Sequence, residues 1–172
     1  MHNSVRIILI NPRNEIALVC ADDPNMRSAD GTYAGRFWFL PGGKIEAKES
    51  MAEAVYRELK EETGLDAQDL DLGPQVWEGT VHLIKDGQPC DIQQYFYVAW
   101  TKNEHLQFYH LDAWENKCLE KLAWFSLEAL QNSQEIVYPI GLSELLPDIL
   151  QKKFPPKPTH INLNRKPLKP QK

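Results

Sequence analysis

The chain has no acidic residue after Asp148, no pair of cysteines at metal-binding spacing, and no hydrophobic run of membrane-spanning length. Each absence excludes something. Cys20, Cys90 and Cys118 are far apart and odd in number, which argues against a zinc site and against a disulfide framework. Reduced thiols in a cytoplasm are the expectation. The opening run, MHNSVRIILINPRN, is too short for the apolar region of a secretion signal, and no other segment approaches the ~20 apolar residues of a membrane helix. No membrane partner is therefore expected. The five histidines, His2, His82, His105, His110 and His160, fall in no H-E-x-x-H or similar ligand pattern.

What is present fits one domain. The 172 residues are 42% hydrophobic, enough for a proper core, and leave length for a tail. The net charge is −5, but seven bases (Lys152, Lys153, Lys157, Arg165, Lys166, Lys169, Lys172) follow Asp148. The part before them is thus more acidic than the whole. That makes it a poor general nucleic-acid surface and a suitable collector of divalent cations. From Phe154 the composition turns to Pro, Lys and Asn, and residues 154–172 are expected to form a basic, disordered tail behind a domain at 1–153.

Along the chain, residues 5–10 (VRIILI) and 15–21 (EIALVCA) read as strands joined by a hairpin turn at Asn11-Pro12-Arg13-Asn14. Residues 22–35 are polar and turn-rich and read as a functional loop. Residues 36–40 (RFWFL) predict a strand stopped by Pro41. Residues 75–84 and 91–101 predict a strand pair around the Asp86-Gly87 turn, 121–125 a further strand, and 126–131 and 141–153 two helices. Trp38, Trp77, Trp100 and Trp124 fall in strands and are assigned to the core. Phe108, Tyr109 and Trp114 fall in a late polar loop, where one of them can stack on a base. Many strands with few helices in mixed order indicate an α+β or α/β sandwich.

The centre of the chain is FWFLPGGKIEAKESMAEAVYRELKEETGL, residues 37–65. It predicts a strand end, a Pro-Gly-Gly turn, and a helix opened by a Ser50/Glu53 capping box and closed by Gly64. Ala52, Val55 and Leu59 give that helix a core stripe. Glu58, Glu61 and Glu62 crowd into its last turn and a half, at the rim of the stripe. Like charges at these spacings repel, and the macrodipole disfavours anions at a helix C-terminus. Hard oxygen donors so gathered suit Mg²⁺ or Mn²⁺. The glycine turn lets backbone approach a ligand, Lys44 can meet a phosphate, and Arg57 can orient a glutamate.

Gly43, Glu49, Arg57-Glu58-Leu59, Glu61-Glu62 and Gly64-Leu65 fill every fixed position of the pattern G-x5-E-x7-R-E-U-x-E-E-x-G-U, where U is a bulky aliphatic. On these residues the chain resembles the Nudix hydrolases. FWFLPGG resembles the family's strand leading into the box, and WFSLEAL its closing strand and helix. The resemblance implies an α/β/α sandwich with a mixed sheet. It implies hydrolysis of a nucleoside diphosphate linked to another group, with Mg²⁺ or Mn²⁺ as cofactor. Carried over by position, it makes Glu58, Glu61 and Glu62 metal ligands, with Glu49 and the Gly42 carbonyl assisting. Arg57 then orients a glutamate and Lys44 approaches phosphate, with Arg27 and Arg36 as further phosphate contacts. The general base varies within the family. The candidates are Glu53 or Glu58 from the helix, and Glu115 or Glu120 from the late loop, with Glu120 preferred.

The substrate is left open. The ADP-ribose type's proline beyond the box is replaced by Thr80-Val81, the dinucleoside-polyphosphate type's tyrosine falls at His82-Leu83, and no SQPWPFP-like element is present. A (deoxy)nucleoside triphosphate, oxidised ones included, is the default. A nucleotide-sensing module without turnover and an RNA-end processing enzyme are the alternatives, and monomer and homodimer are both open.

Overall fold

The computed structural model describes residues 2–29 and 34–166. Nine strands form one mixed sheet: β1 (His2–Ile10), β2 (Ile16–Ser28), β3 (Ala34–Phe39), β4 (Gly42–Lys44), β5 (Leu70–Lys85), β6 (Gln88–Thr101), β7 (Leu119–Phe125), β8 (Val137–Tyr138) and β9 (Thr159–His160). The order is β4-β1-β6-β5-β2-β3-β8, with β7 on β2 and β9 on β5. Among the described residues four α-helices accompany these nine strands: α1 (Met51–Thr63), α2 (Ala113–Cys118), α3 (Leu127–Gln131) and α4 (Leu142–Leu150).

The alternation of β1 sets the layers. Val5, Ile7 and Leu9 pack with Ala54, Val55 and Leu59 of α1. Ile8 and Ile10 face the other way, onto a core shared with Leu130 of α3 and Leu142, Leu146 and Ile149 of α4. The result is the expected α/β/α sandwich. The same outer positions nearer the start of β1 are polar (His2, Ser4, Arg6), and there the second layer opens into a cavity.

Several local expectations change. The 11–14 turn exists, with Asn14 N–H donating to the Asn11 carbonyl at 3.0 Å. The flanking strands diverge at once, however, and pair only at Ile10–Ile16. The long partner of β1 is β6, parallel from His2–Ile92 to Ile10–Trp100, a non-local pairing that local turn signals do not report. The expected loop at 22–35 is strand through Ser28, since Met26–Ser28 pair with β5 and Asp22–Asp23 with β3. Residues 30–33 lie outside the described residues. The fourth helix spans Leu142–Leu150.

The expected disordered tail is corrected for residues 154–166. β9 pairs in parallel with Trp77 and Glu78, and Ile161 and Leu163 are 8% and 6% exposed. Two well-spaced apolar side chains, with asparagines that bond to backbone, suffice to seat a Pro- and Lys-rich segment on a ready apolar surface. Residues 167–172 lie outside the described residues.

Replacing Leu59, wholly buried between α1 and the sheet, by Ala is expected to cost about 2–5 kcal/mol. A denaturant titration with an unchanged slope and a lowered midpoint is the check.

Candidate active site

Helix α1 begins as its sequence prescribes. The Ser50 side chain accepts from Glu53 N–H, and the Glu53 carboxylate accepts from Ser50 N–H at 2.8 Å. Glu53 is thereby occupied as a cap, exposed, and away from the cavity. At the other end Gly64 takes φ 76°. Its neighbourhood leaves no room for a side chain, because a Cβ there would lie 2.9 Å from the Gln107 carbonyl. The chain from Gln107 to His110 closes over the end of α1. Gln107 N–H donates to the Thr63 carbonyl, and Tyr109 and His110 N–H both donate to the Glu61 carbonyl, at 2.9–3.0 Å. The helix's last carbonyls are so satisfied by the segment that leads into α2.

Arg57 organises the carboxylates. Its Nε and Nη2 donate to the two oxygens of Glu49 at 2.6 and 3.0 Å. Its Nη1 donates to Glu58 at 2.8 Å and to Glu61 at 3.2 Å, and Nη2 also reaches the Lys44 carbonyl at 3.0 Å. A planar fork with five donors is suited to this; a lysine is not. The hydrogen bond from Arg57 holds the Glu49 carboxyl below its ordinary range.

Glu58 and Glu62 are 5% and 1% exposed. With Glu115 of α2 they present oxygens that all lie within 4.8 Å of one another. Burial lifts the Glu58 carboxyl to about 7 against the pull of Arg57. Burial, and then the charge of Glu58, lift Glu62 well above the carboxylate range. The glycine turn makes this possible. A Cβ on Gly43 would lie 2.6 Å from Glu58 Oε1, and one on Gly42 (φ 147°) would collide with the Val5 carbonyl. The Gly42 N–H donates to Glu62 Oε2 at 3.4 Å. Three hard, mutually repelling oxygen donors at a cavity wall fit a divalent cation such as Mg²⁺ or Mn²⁺.

Other predicted residues separate on inspection. Lys44 lines the cavity, and so does Glu61, whose carboxylate turns to Arg57. The Gly42 carbonyl, expected as a ligand, accepts from Arg6 Nη1 at 3.3 Å, which also reaches the Leu40 carbonyl at 3.2 Å. Glu120 does not join the cluster. It pairs with Arg36 at 2.9 Å, and Arg36 also holds Glu135 at 3.0 Å. Neither Arg36 nor Glu120 lines the cavity. A strand residue on β7 cannot reach where a residue of α2 can. The Arg27 side chain lies outside the described residues.

Arg6 carries no motif in the sequence, and Trp114 was expected in a loop as a candidate base stacker. Arg6 lies under the acidic cluster, next to Glu62 and Glu58. Its only signal was a charge inside a β-branched strand. Trp114 belongs to α2 rather than a loop. Its Nε1 donates to the buried Asp23 at 2.6 Å, and Lys85 lies over its ring. Asp112 caps α2 through a capping box with Glu115 itself. The cap and the Trp114–Asp23 bond fix the approach of α2 to the box. The cavity beside the cluster measures about 560 Å³ and is lined by Glu58, Glu62 and Lys44 together with Phe37, Phe39, Val81, Ile92 and Phe96.

A concave cavity lined mainly by apolar and aromatic side chains, with a few convergent carboxylates, has the make-up of a small-molecule site. The NUDIX domain family model matches residues 1–147, and the chain belongs to that family. Its fold is similar to the MutT protein from Methanosarcina mazei Go1 (TM-score 0.58, 22% identity, covering 88% of this chain and 94% of that one). It is also similar to a NUDIX-family hydrolase from Clostridium perfringens (TM-score 0.58, 19% identity, covering 88% and 97%). Among curated relatives, a putative 8-oxo-dGTP diphosphatase 2 of Mycobacterium tuberculosis is 54% identical over 43 residues, 25% of this chain and 30% of that protein. The 8-oxo-dGDP phosphatase NUDT18 of Danio rerio is 35% identical over 68 residues, 40% of this chain and 18% of that protein. The chain thus spans less than a third of the length of these two relatives.

A carboxyl raised by folding makes the native state the tighter proton binder between its unfolded pKa of 4.5 and its folded value of about 7. Stability of the metal-free protein is therefore expected to fall as pH rises through that window, by on the order of a few kcal/mol. Mg²⁺ should flatten the fall, and Glu58→Gln should shrink it. Thermal melts across the window, in chelator and in Mg²⁺, test this; a metal-free melting temperature that climbs throughout would contradict it.

Proposed function

We propose that the protein hydrolyses a phosphoric anhydride of a nucleoside diphosphate derivative. The preferred substrate class is a (deoxy)nucleoside triphosphate, oxidised purines included, cleaved to the monophosphate and pyrophosphate. The observation that carries this reading is the carboxylate trio Glu58, Glu62 and Glu115 in the wall of a cavity of about 560 Å³ that is otherwise lined largely by apolar and aromatic side chains. A triphosphate needs the carboxylates and their metal, and a base the apolar lining. The curated relatives named above act on oxidised guanine nucleotides by name, over segments that cover a minority of this chain.

Glu58, Glu62 and Glu115 are the residues to hold Mg²⁺ or Mn²⁺, with Glu61 and Glu49 beside them. The bound ion would supply charge neutralisation on phosphate oxygens and a more acidic water. Arg57 aims Glu49 and Glu58 and keeps Glu49 ionised. Lys44, exposed at the rim, meets a phosphate as a mobile point charge. Glu115 is our candidate to accept the proton of the attacking water, because it comes from a separate element, lines the cavity as Glu53 does not, and has only Oε1 engaged by the Asp112 N–H of its cap. Elsewhere in the lining Phe37 and Phe39 offer ring surface, and the Gln94 amide offers a donor and an acceptor to a base edge.

Glu58→Gln, Glu62→Gln and Glu115→Gln are each expected to lower kcat by roughly a hundredfold or more, with Glu53→Gln and Glu120→Gln within about twofold of wild type. Release of pyrophosphate and phosphate from a nucleotide panel, with Mg²⁺, with Mn²⁺ and with chelator, is the measurement. Full turnover in Glu62→Gln, or unchanged turnover in chelator, would sink the reading.

A further inference from the structure

The cavity has one wall that the NUDIX family match does not cover. That match ends at residue 147, yet Leu163 lines the cavity and is only 6% exposed. Leu163 packs in one cluster with Val81, Ile92 and Phe96, which line the cavity with it.

The segment carrying it is built to lie there. β9 runs parallel to β5 at Trp77 and Glu78, and Ile161 N–H donates to the Glu78 carbonyl at 2.9 Å. Asn164 then grips the same strand twice. Its Nδ2 donates to the Thr80 carbonyl at 2.9 Å, and its Oδ1 accepts from His82 N–H at 2.8 Å. Between these grips stands Gly79. A Cβ there would lie 2.6 Å from the Ile161 carbonyl and 3.0 Å from Leu163 Cγ. Glycine weakens a strand interior and commonly marks where another backbone comes close. Arg165 closes the segment by pairing with Glu144 of α4 at 3.1 Å, over Gly141, where a side chain would strike its guanidinium.

We propose that this strap, residues 159–165, is the base-selecting wall of the cavity, with Leu163 as the contacting side chain and Asn164 as the positioning residue. The proposal rests on the nucleotide reading above and adds to it. The box residues serve any diphosphate alike, whereas Leu163 meets the part of a ligand that lies against the apolar lining shared with Val81, Ile92 and Phe96. A wall placed there discriminates by shape, since the fit of an apolar side chain against a base alters selectivity and leaves the phosphate chemistry untouched.

The test is calorimetric binding of the four α,β-methylene deoxynucleoside triphosphates, in Mg²⁺, to full-length wild type, Leu163→Ala, Leu163→Met and Asn164→Ala. Leu163→Ala is expected to weaken the best-bound nucleotide about tenfold and the others less, compressing the spread among bases. Leu163→Met should restore the spread, and Asn164→Ala should compress it with Leu163 intact. Unchanged affinity ratios in Asn164→Ala, or an equal loss for all four nucleotides in Leu163→Ala, would overturn the proposal. Should Leu163→Ala fail to fold, the ratios in Asn164→Ala decide. Turnover of the natural nucleotides is measured alongside. Binding without turnover would strike the hydrolase reading alone and leave the ratios to judge the strap; wild type that binds none of the four would overturn both.

Discussion

Glu58 and Glu62 lie one turn apart on the buried side of α1, and Glu115 brings a third carboxylate against them. Their repulsion is compounded by burial and by the helix C-terminus, which presents partial negative charge to them. Much of the surrounding structure relieves that repulsion without abolishing it. Arg57 draws Glu49, Glu58 and Glu61 to one side. Arg6 stands beneath Glu58 and Glu62 while holding the carbonyls of the glycine turn. The N–H groups of Gln107, Tyr109 and His110 occupy the carbonyls of Thr63 and Glu61 at the end of α1, and this segment leads on to α2. What remains uncompensated is the attraction that a divalent cation satisfies.

The cavity follows from a change of character along one face of the sheet. β1 presents Ile8 and Ile10 to the α3/α4 core and, two and four residues before Ile8, Arg6 and Ser4 to open space. Neither short helix reaches that far. The gap is framed instead by β4, α2 and the strap, each held by a few directed bonds rather than by a large apolar face. Elements held in this way can vary without disturbing the sandwich, which suits a wall that chooses among substrates.

Local signals carried a good part of the fold. The Ser50/Glu53 box and Gly64 bounded α1 as read, because caps depend on neighbours in sequence. The β5–β6 pair formed around Asp86-Gly87 for the same reason. Apart from α2, whose Asp112/Glu115 capping box is a local signal left unread, the failures involve distance. The β1–β6 pairing, the strand through Ser28 and the docking of residues 154–166 each need a partner far along the chain. Glu115 and Glu120 are close in sequence and alike in composition. One sits at the end of a cap and a Trp114–Asp23 bond, the other on a strand beside Arg36.

By itself, then, the sequence determined the acidic helix, its caps, the glycine turn before it, and the Nudix spacing of these residues. All of these are local, set by helix periodicity and by the bulk of single side chains. Only the tertiary structure decided which late glutamate completes the cluster, that Arg6 underlies it, and that Leu163 closes the cavity. Those outcomes depend on which surfaces meet when the sheet assembles, and no run of neighbouring residues encodes that.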